Sequence, residues 1–228
     1  IGRIGTMSLR PTPASEVKLR NSSSNQVRAL SGRTAAIKLP GASNWYPIDV
    51  ATNAFGQGIS VTPIQMAMTV GAIANEGKMY VPHIVKAVII DGKRYEVEPV
   101  LAGTPISAET ARKVTDMLTE TLMDESYEKA NIHGYTFAGK TGTGQIPTEY
   151  GYTNPLTNAS FVGWGPSEDP QVLVYVWMQE PTLDIWGSQI AAPIFSRIVE
   201  KLVVLMDIPP DSIRLSNQAA DQVMSIGE

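Results

Sequence analysis

Phe137-Ala138-Gly139-Lys140-Thr141-Gly142-Thr143-Gly144-Gln145 places one amine, two hydroxyls and three glycines within nine residues. Two chemistries fit that density. Read as a strand, Lys140-Thr141-Gly142-Thr143 is the binding strand of a serine acyl-transferase. Read from Gly134, the spacing Gly134-x-x-x-x-Gly139-Lys140-Thr141 satisfies the phosphate-loop pattern. A phosphate loop needs a buried strand before it and a helix beginning at its Lys-Thr pair, so that backbone N–H groups can wrap phosphates. Here the upstream stretch Glu125 to His133 is polar, and Tyr135-Thr136-Phe137-Ala138 is bulky and alternating like a strand. Downstream, Gly142, Gly144 and Pro147 oppose a helix. No β-run ending in Asp offers a second magnesium ligand. The strand is therefore expected, and a nucleotide hydrolase is kept as the lesser alternative.

As a strand, Tyr135 to Gln145 puts Lys140, Gly142 and Gly144 on one face and Gly139, Thr141 and Thr143 on the other. Small residues let a ligand or another backbone come close. An open edge of this kind can take up an extended peptide as an added strand. Lys140 brings positive charge, a threonine hydroxyl can bond a carboxylate, and a backbone N–H beside a nucleophile can stabilise an oxyanion. The plainer reading is a glycine-rich hairpin with a surface lysine. Lys-Thr-Gly alone is too short to choose.

The bulk composition narrows the field. The 228 residues suit one domain with small additions, and 43% hydrophobic with 18% charged residues suits a globular core. A net charge of −4 gives no reason to expect nucleic acid. With no cysteine and only His83 and His133, disulfides and thiolate metal sites are excluded and a His-rich one is disfavoured. No cofactor is called for. No apolar run is long enough to span a bilayer, and no signal pattern opens the sequence. An export signal, if used, lies outside it.

Residues 1–33 read as irregular, punctuated by Arg10-Pro11-Thr12-Pro13 and Ser22-Ser23-Ser24-Asn25. Thr62-Pro63-Ile64-Gln65 combines a hydroxyl cap, an N1 proline and a glutamine three after the cap. It predicts a helix that buries Met66, Val70 and Ile73 and stops near Gly77. Asp91-Gly92 predicts a hairpin of Ile84 to Ile90 with Arg94 to Val97. His83 reads as a partly exposed loop residue. Ser107 is expected to cap a helix burying Val114, Leu118 and Leu122. Ser126-x-x-Lys129 has nucleophile spacing, but it falls at that helix's polar end, where nothing desolvates the lysine. Ala159 to Gly165 and Gln171 to Met178 predict an antiparallel pair. The second strand, apolar on both faces, is expected to be central. A helix from Ser188 is expected to bury Ile190, Ile194, Ile198, Leu202 and Leu205, and to stop at Pro209-Pro210. Asp211 to Glu228 reads as a polar tail. Helix, three strands and helix over 107–206 give an α+β arrangement, an antiparallel β-sheet flanked by helices.

Several motifs in order carry a resemblance. They are Ile37-Lys38-Leu39-Pro40-Gly41, Ala51 to Gln65, Asn75-Glu76-Gly77 through Val81-Pro82-His83, Ala138 to Thr143, Ser160 to Trp164, and Ala191-Ala192-Pro193-Ile194-Phe195. Together the chain resembles the C-terminal part of the penicillin-binding transpeptidase domain, of the class B high-molecular-weight type used in elongation and division. The resemblance implies a serine β-lactamase-like fold, incomplete on its N-terminal side. It divides the chain into an irregular 1–33, a transpeptidase domain over 34–210, and a tail over 211–228. It implies a D,D-transpeptidase that acylates a serine with D-Ala-D-Ala stem peptides of peptidoglycan and is trapped by β-lactam antibiotics. It also implies a place on the extracytoplasmic face of the cytoplasmic membrane, an anchor outside this chain, and partners among cell-wall synthesis or division proteins.

Carried over, Lys140, Thr141 and Thr143 bind the donor carboxylate, the Thr143 N–H helps form the oxyanion hole, and Gly142 keeps the strand surface open. The family's Ser-x-x-Lys and Ser-x-Asn motifs have matching letters at Ser15 and Lys18, and at Ser23 and Asn25. These two motifs stand closer together, and nearer the start, than the family places them. A chain whose nucleophile lies upstream, a record lacking internal segments, and a silent relative that only binds envelope partners are the competing explanations.

Overall fold

The computed structural model describes residues 41–146 and 156–217. Ser15, Lys18, Ser23 and Asn25 lie outside them. Helix α1 spans Pro47–Ala54 and α2 spans Pro63–Ala74. The start of α2 is fixed by reciprocal bonds. The Gln65 N–H donates to Thr62 Oγ1 at 3.3 Å, and the Thr62 N–H donates to Gln65 Oε1 at 2.8 Å. Each satisfies a donor that the first turn leaves orphaned. Val70, with Met66 and Ile73 packed beside it, meets Ala138 and Trp164.

Beyond α2 come β1 (Met79–Tyr80), β2 (Ala87–Ile90), β3 (Lys93–Glu96) and β4 (Leu101–Gly103). Asp91 and Gly92 both take positive φ, 50° and 75°, which is the two-residue turn that an Asp-Gly pair favours. The hairpin is shorter than expected: Ile84 stands outside it and is 93% exposed. His83 is exposed, its Nδ1 2.9 Å from Val85 O. A concavity of about 460 Å³ beside it is lined by residues 83–86 and 96–99, remote in sequence from the lysine strand.

Helix α3 (Ala108–Leu122) is capped by Ser107, whose Oγ accepts the Thr110 N–H at 3.1 Å. A 3-10 turn, Glu125–Ala130, carries Ser126 and Lys129. They do not form a pair. The Ser126 N–H and hydroxyl both bond Asp124, holding that carboxyl below its usual range, while Lys129 Nζ reaches Gln189 Oε1 at 2.5 Å.

The sheet is β5 (Ala138–Gln145), β6 (Thr157–Gly165) and β7 (Val172–Gln179), antiparallel in that order. Among the described residues β6, not β7, is therefore the central strand. Apolar residues on both faces of β7 report its two coverings and say nothing about its edges. Val174 and Val176 pack toward the last long helix, and Leu173 toward Trp164.

That helix, α4 (Gly187–Leu205), turns a different face inward from the one expected. Ala191, Ala192, Phe195, Ser196, Val199 and Val203 are buried; of the expected stripe Leu202 packs against this core, whereas Ile194 and Ile198 are each 38% exposed and Leu205 is 77% exposed. Both stripes satisfy the helical period. Ala191 and Ala192 let the axis approach the sheet, and Gly163 leaves a gap for the Phe195 ring: a Cβ there would stand 2.5 Å from Phe195 Cζ. Close packing decides the rotation, not side-chain apolarity alone.

The expected polar tail also changes character, since residues 211–217 are helical. The Asp211 N–H donates to Gly134 O at 2.9 Å, Thr136 Oγ1 donates to Asp211 Oδ2 at 2.6 Å, and Arg214 bonds Asp211 Oδ1 at 2.6 Å and Glu168 Oε2 at 3.2 Å. The Gly134 and Thr136 bonds tie the segment to the stretch leading into β5, and the Glu168 bond ties it to the turn between the following two strands.

Candidate functional site

Strand β5 runs unbroken through Lys140 and Thr141. A phosphate loop would start a helix there, so the nucleotide-hydrolase alternative fails on its own structural requirement. Gly134, the first glycine of that pattern, lies in a turn with φ +84° beside the docked 211–217 segment.

The ladder shows which backbone groups are free. The Ile146 N–H donates to Leu156 O at 2.9 Å. Hydrogen-bonded pairs alternate in an antiparallel ladder. In the observed register, Lys140 with Val162, Gly142 with Ser160 and Gly144 with Asn158 are then bonded pairs as well. The N–H and C=O groups of Gly139, Thr141, Thr143 and Gln145 consequently point away from β6. Among the described residues no strand pairs with that outer edge. Lys140 Nζ lies over it, 3.3 Å from both Thr141 O and Thr141 Oγ1. A cation, two hydroxyls and a row of backbone groups turned away from β6 share one edge. This arrangement suits an extended ligand ending in a carboxylate.

The glycines have separate reasons. A Cβ on Gly139 would meet the Phe161 ring at 2.9 Å, so this glycine serves packing. On Gly142 it would stand 2.5 Å from Ser160 Oγ, whereas on Gly144 it would meet nothing within 4 Å among the described residues.

Three residues were not picked out from the sequence. Ser160 sits opposite Gly142 and bonds the Tyr175 phenol. Gly187, the first residue of α4, donates its N–H to Thr143 Oγ1 at 3.1 Å. Cross-strand register was the signal available for Ser160 and Tyr175; none pointed to Gly187. Burial pushes the Tyr175 phenol above its ordinary pKa, and the Ser160 bond only partly offsets this. A raised folded-state value means stability is intact below the unfolded value, about 10, and is lost as pH climbs through the folded one. Alkaline unfolding is therefore expected to steepen above pH ~10, with Tyr175→Phe flattening that slope. A tyrosinate-absorbance titration in which Tyr175→Phe removes no late-ionising group would contradict this.

The penicillin binding protein transpeptidase domain is matched over residues 26–200. The chain belongs to that family. Among its relatives, the stage V sporulation protein D of Bacillus subtilis is 34% identical over 168 residues, covering 72% of this chain and 26% of that protein. A peptidoglycan D,D-transpeptidase FtsI homolog of Mesostigma viride is 30% identical over 181 residues, covering 72% of this chain and 30% of the relative. The chain thus spans less than a third of each of these two relatives. In structure it resembles penicillin-binding protein 3 of Mycobacterium tuberculosis, with TM-score 0.66 and 30% identity over 75% of this chain and 41% of that one. The same mycobacterial protein has been solved with aztreonam and with ampicillin. The α+β penicillin-binding transpeptidase fold expected from the sequence is the fold observed. Ser15, Lys18, Ser23 and Asn25 fall outside the matched span as well.

Proposed function

We propose that this chain carries the donor-binding wall of a serine D,D-transpeptidase that cross-links peptidoglycan, with β5 as that wall. The outer edge of β5, overlain by Lys140 and unpaired among the described residues, is the observation that supports it most directly. A D-Ala-D-Ala stem lies along the edge as an added strand. Its terminal carboxylate meets Lys140 and the hydroxyls of Thr141 and Thr143. The outward Thr143 N–H stands where charge develops on the scissile carbonyl oxygen.

A serine Oγ attacks the carbonyl carbon of the penultimate D-Ala and gives up its proton to a neighbouring base. The C–N bond breaks, and the terminal D-Ala leaves with that proton on its nitrogen. An acceptor amine then attacks the ester carbonyl and gives a proton to the base, the ester C–O bond breaks as the amide forms, and that proton passes to the serine oxygen. In a β-lactam the broken C–N bond belongs to a ring, so the leaving amine stays tethered and the ester persists. β-Lactam binding, and work on the extracytoplasmic face of the membrane, follow from this reading. Among the described residues no helix is long and apolar enough to cross a membrane.

Within the chain the matching letters make Ser15 the nucleophile with Lys18 as its base, and Ser23 with Asn25 the second motif. Labelling with a fluorescent penicillin tests all of this. A covalent, heat-stable adduct, on this chain or on one extended upstream, is the expected result, and its loss in Ser15→Ala would assign the nucleophile to Ser15. An adduct that survives Ser15→Ala moves the nucleophile to another serine and keeps the transpeptidase reading. No adduct, even on a longer chain extending upstream, overturns catalysis and leaves a binding module of the same fold.

A further inference from the structure

We infer that Gly187 is a positioning residue, which fixes the Thr143 hydroxyl as a hydrogen-bond donor aimed at a ligand carboxylate. The inference rests on the reading of β5 as the donor-binding wall.

The first N–H groups of a helix have no partner inside it. The Gly187 N–H, at the first position of α4, spends its bond on Thr143 Oγ1 at 3.1 Å. A hydroxyl has one proton and two lone pairs. With one lone pair taken from the sheet's α4 side, the Thr143 proton is left free to turn toward the open strand edge. A carboxylate, which only accepts, needs just such a donor.

Only glycine can stand close enough to do this. A Cβ at position 187 would lie 2.3 Å from Ser160 O, 2.6 Å from Gly142 O and 3.2 Å from Ser160 N. All three are backbone atoms, which cannot swing aside as the end of a side chain could. The bond at Thr143 and the absence of a side chain at Gly187 are one arrangement: α4 rests its first turn directly on the Gly142–Ser160 pair. Thr157 Oγ1, donating to Ile185 O at 3.2 Å, holds the approach to that turn from the neighbouring strand.

Two measurements on the full chain test the inference. Thr143→Val keeps the shape and removes the acceptor, so amide hydrogen exchange at Gly187 is expected to speed up about tenfold or more. Exchange unchanged at Gly187 overturns the inference, whatever the chain's activity. The second measurement is the acylation rate constant for benzylpenicillin against its methyl ester, which lacks the carboxylate charge. Gly187→Ala is expected to slow the acid by about ten- to a hundredfold and the ester much less. In a Thr143→Val background, Gly187→Ala is expected to leave the acid-to-ester ratio unmoved. An equal slowing of acid and ester, or additive effects in the double variant, overturns the positioning role. Wild-type protein that never acylates, even when the chain is extended upstream, refutes the transpeptidase reading instead, and the exchange result still decides the bond.

Discussion

Phe195→Ala is expected to lower the free energy of unfolding by about 3–5 kcal/mol, the largest stability loss we anticipate from one truncation. Phe195 is fully buried, 4.6 Å from Phe161 and 6.1 Å from Phe137 between ring centroids, the latter nearly edge-on at 76°. Its ring fills the gap opposite Gly163. Removing it takes away apolar contacts from α4, β5's lead-in and β6 at once, and the rigid sheet cannot collapse into the space. Ile198 lies one turn further along the same helix and is a comparable apolar residue by sequence. Being 38% exposed, it is expected to cost well under half as much on truncation. Urea denaturation of the two variants, followed by tryptophan fluorescence, makes the comparison. A midpoint shift for Ile198→Ala as large as that for Phe195→Ala would mean that α4 packs by its isoleucine face after all.

That comparison shows what kind of information the sequence held. Where one local pattern has one physical solution, the reading matched the molecule. Thr62-Pro63-Ile64-Gln65 can satisfy its orphan donors only as a helix start, and Asp91-Gly92 can supply two positive φ angles cheaply only in a two-residue turn. The strand at Lys140 was legible because glycines on both sides of it disfavour the competing helix. Where two solutions share one pattern, the reading went astray. The isoleucine and alanine–phenylalanine stripes of α4 both repeat at helical spacing, and the choice lies in Gly163, on a different strand. Residues 211–217 showed no periodicity, because this segment is held by polar bonds to Gly134, Thr136 and Glu168 and not by an apolar face. Gly187 was silent for the same reason: its role exists only once α4 is laid against Gly142 and Ser160. Contacts between residues distant in sequence, chosen by shape, are what a single sequence carries least.

Lys140→Met is expected to cut the rate of penicillin acylation by about a hundredfold, since the bound ligand would cover the pair and truncating one partner of a buried hydrogen-bonded charge pair costs about 2–5 kcal/mol. Stability is expected to move by less than about 0.5 kcal/mol, because the lysine is exposed and, among the described residues, bonds only its neighbour Thr141. This separation of effects follows from geometry. Among the described residues the Lys140 ammonium meets only Thr141 over the outer edge of β5, and in the proposed reading a ligand carboxylate supplies the opposite charge. Lys140→Arg is expected to recover part of the rate and not all of it. A guanidinium keeps the charge, but its wide planar fork must displace the Thr141 contacts that the compact ammonium makes. Loss of rate in Met with partial recovery in Arg separates charge from shape, and raised salt should narrow the gap between wild type and Lys140→Met. Acylation of Lys140→Met at the wild-type rate would move the carboxylate site off β5. It would also remove the physical reason for leaving this strand edge open.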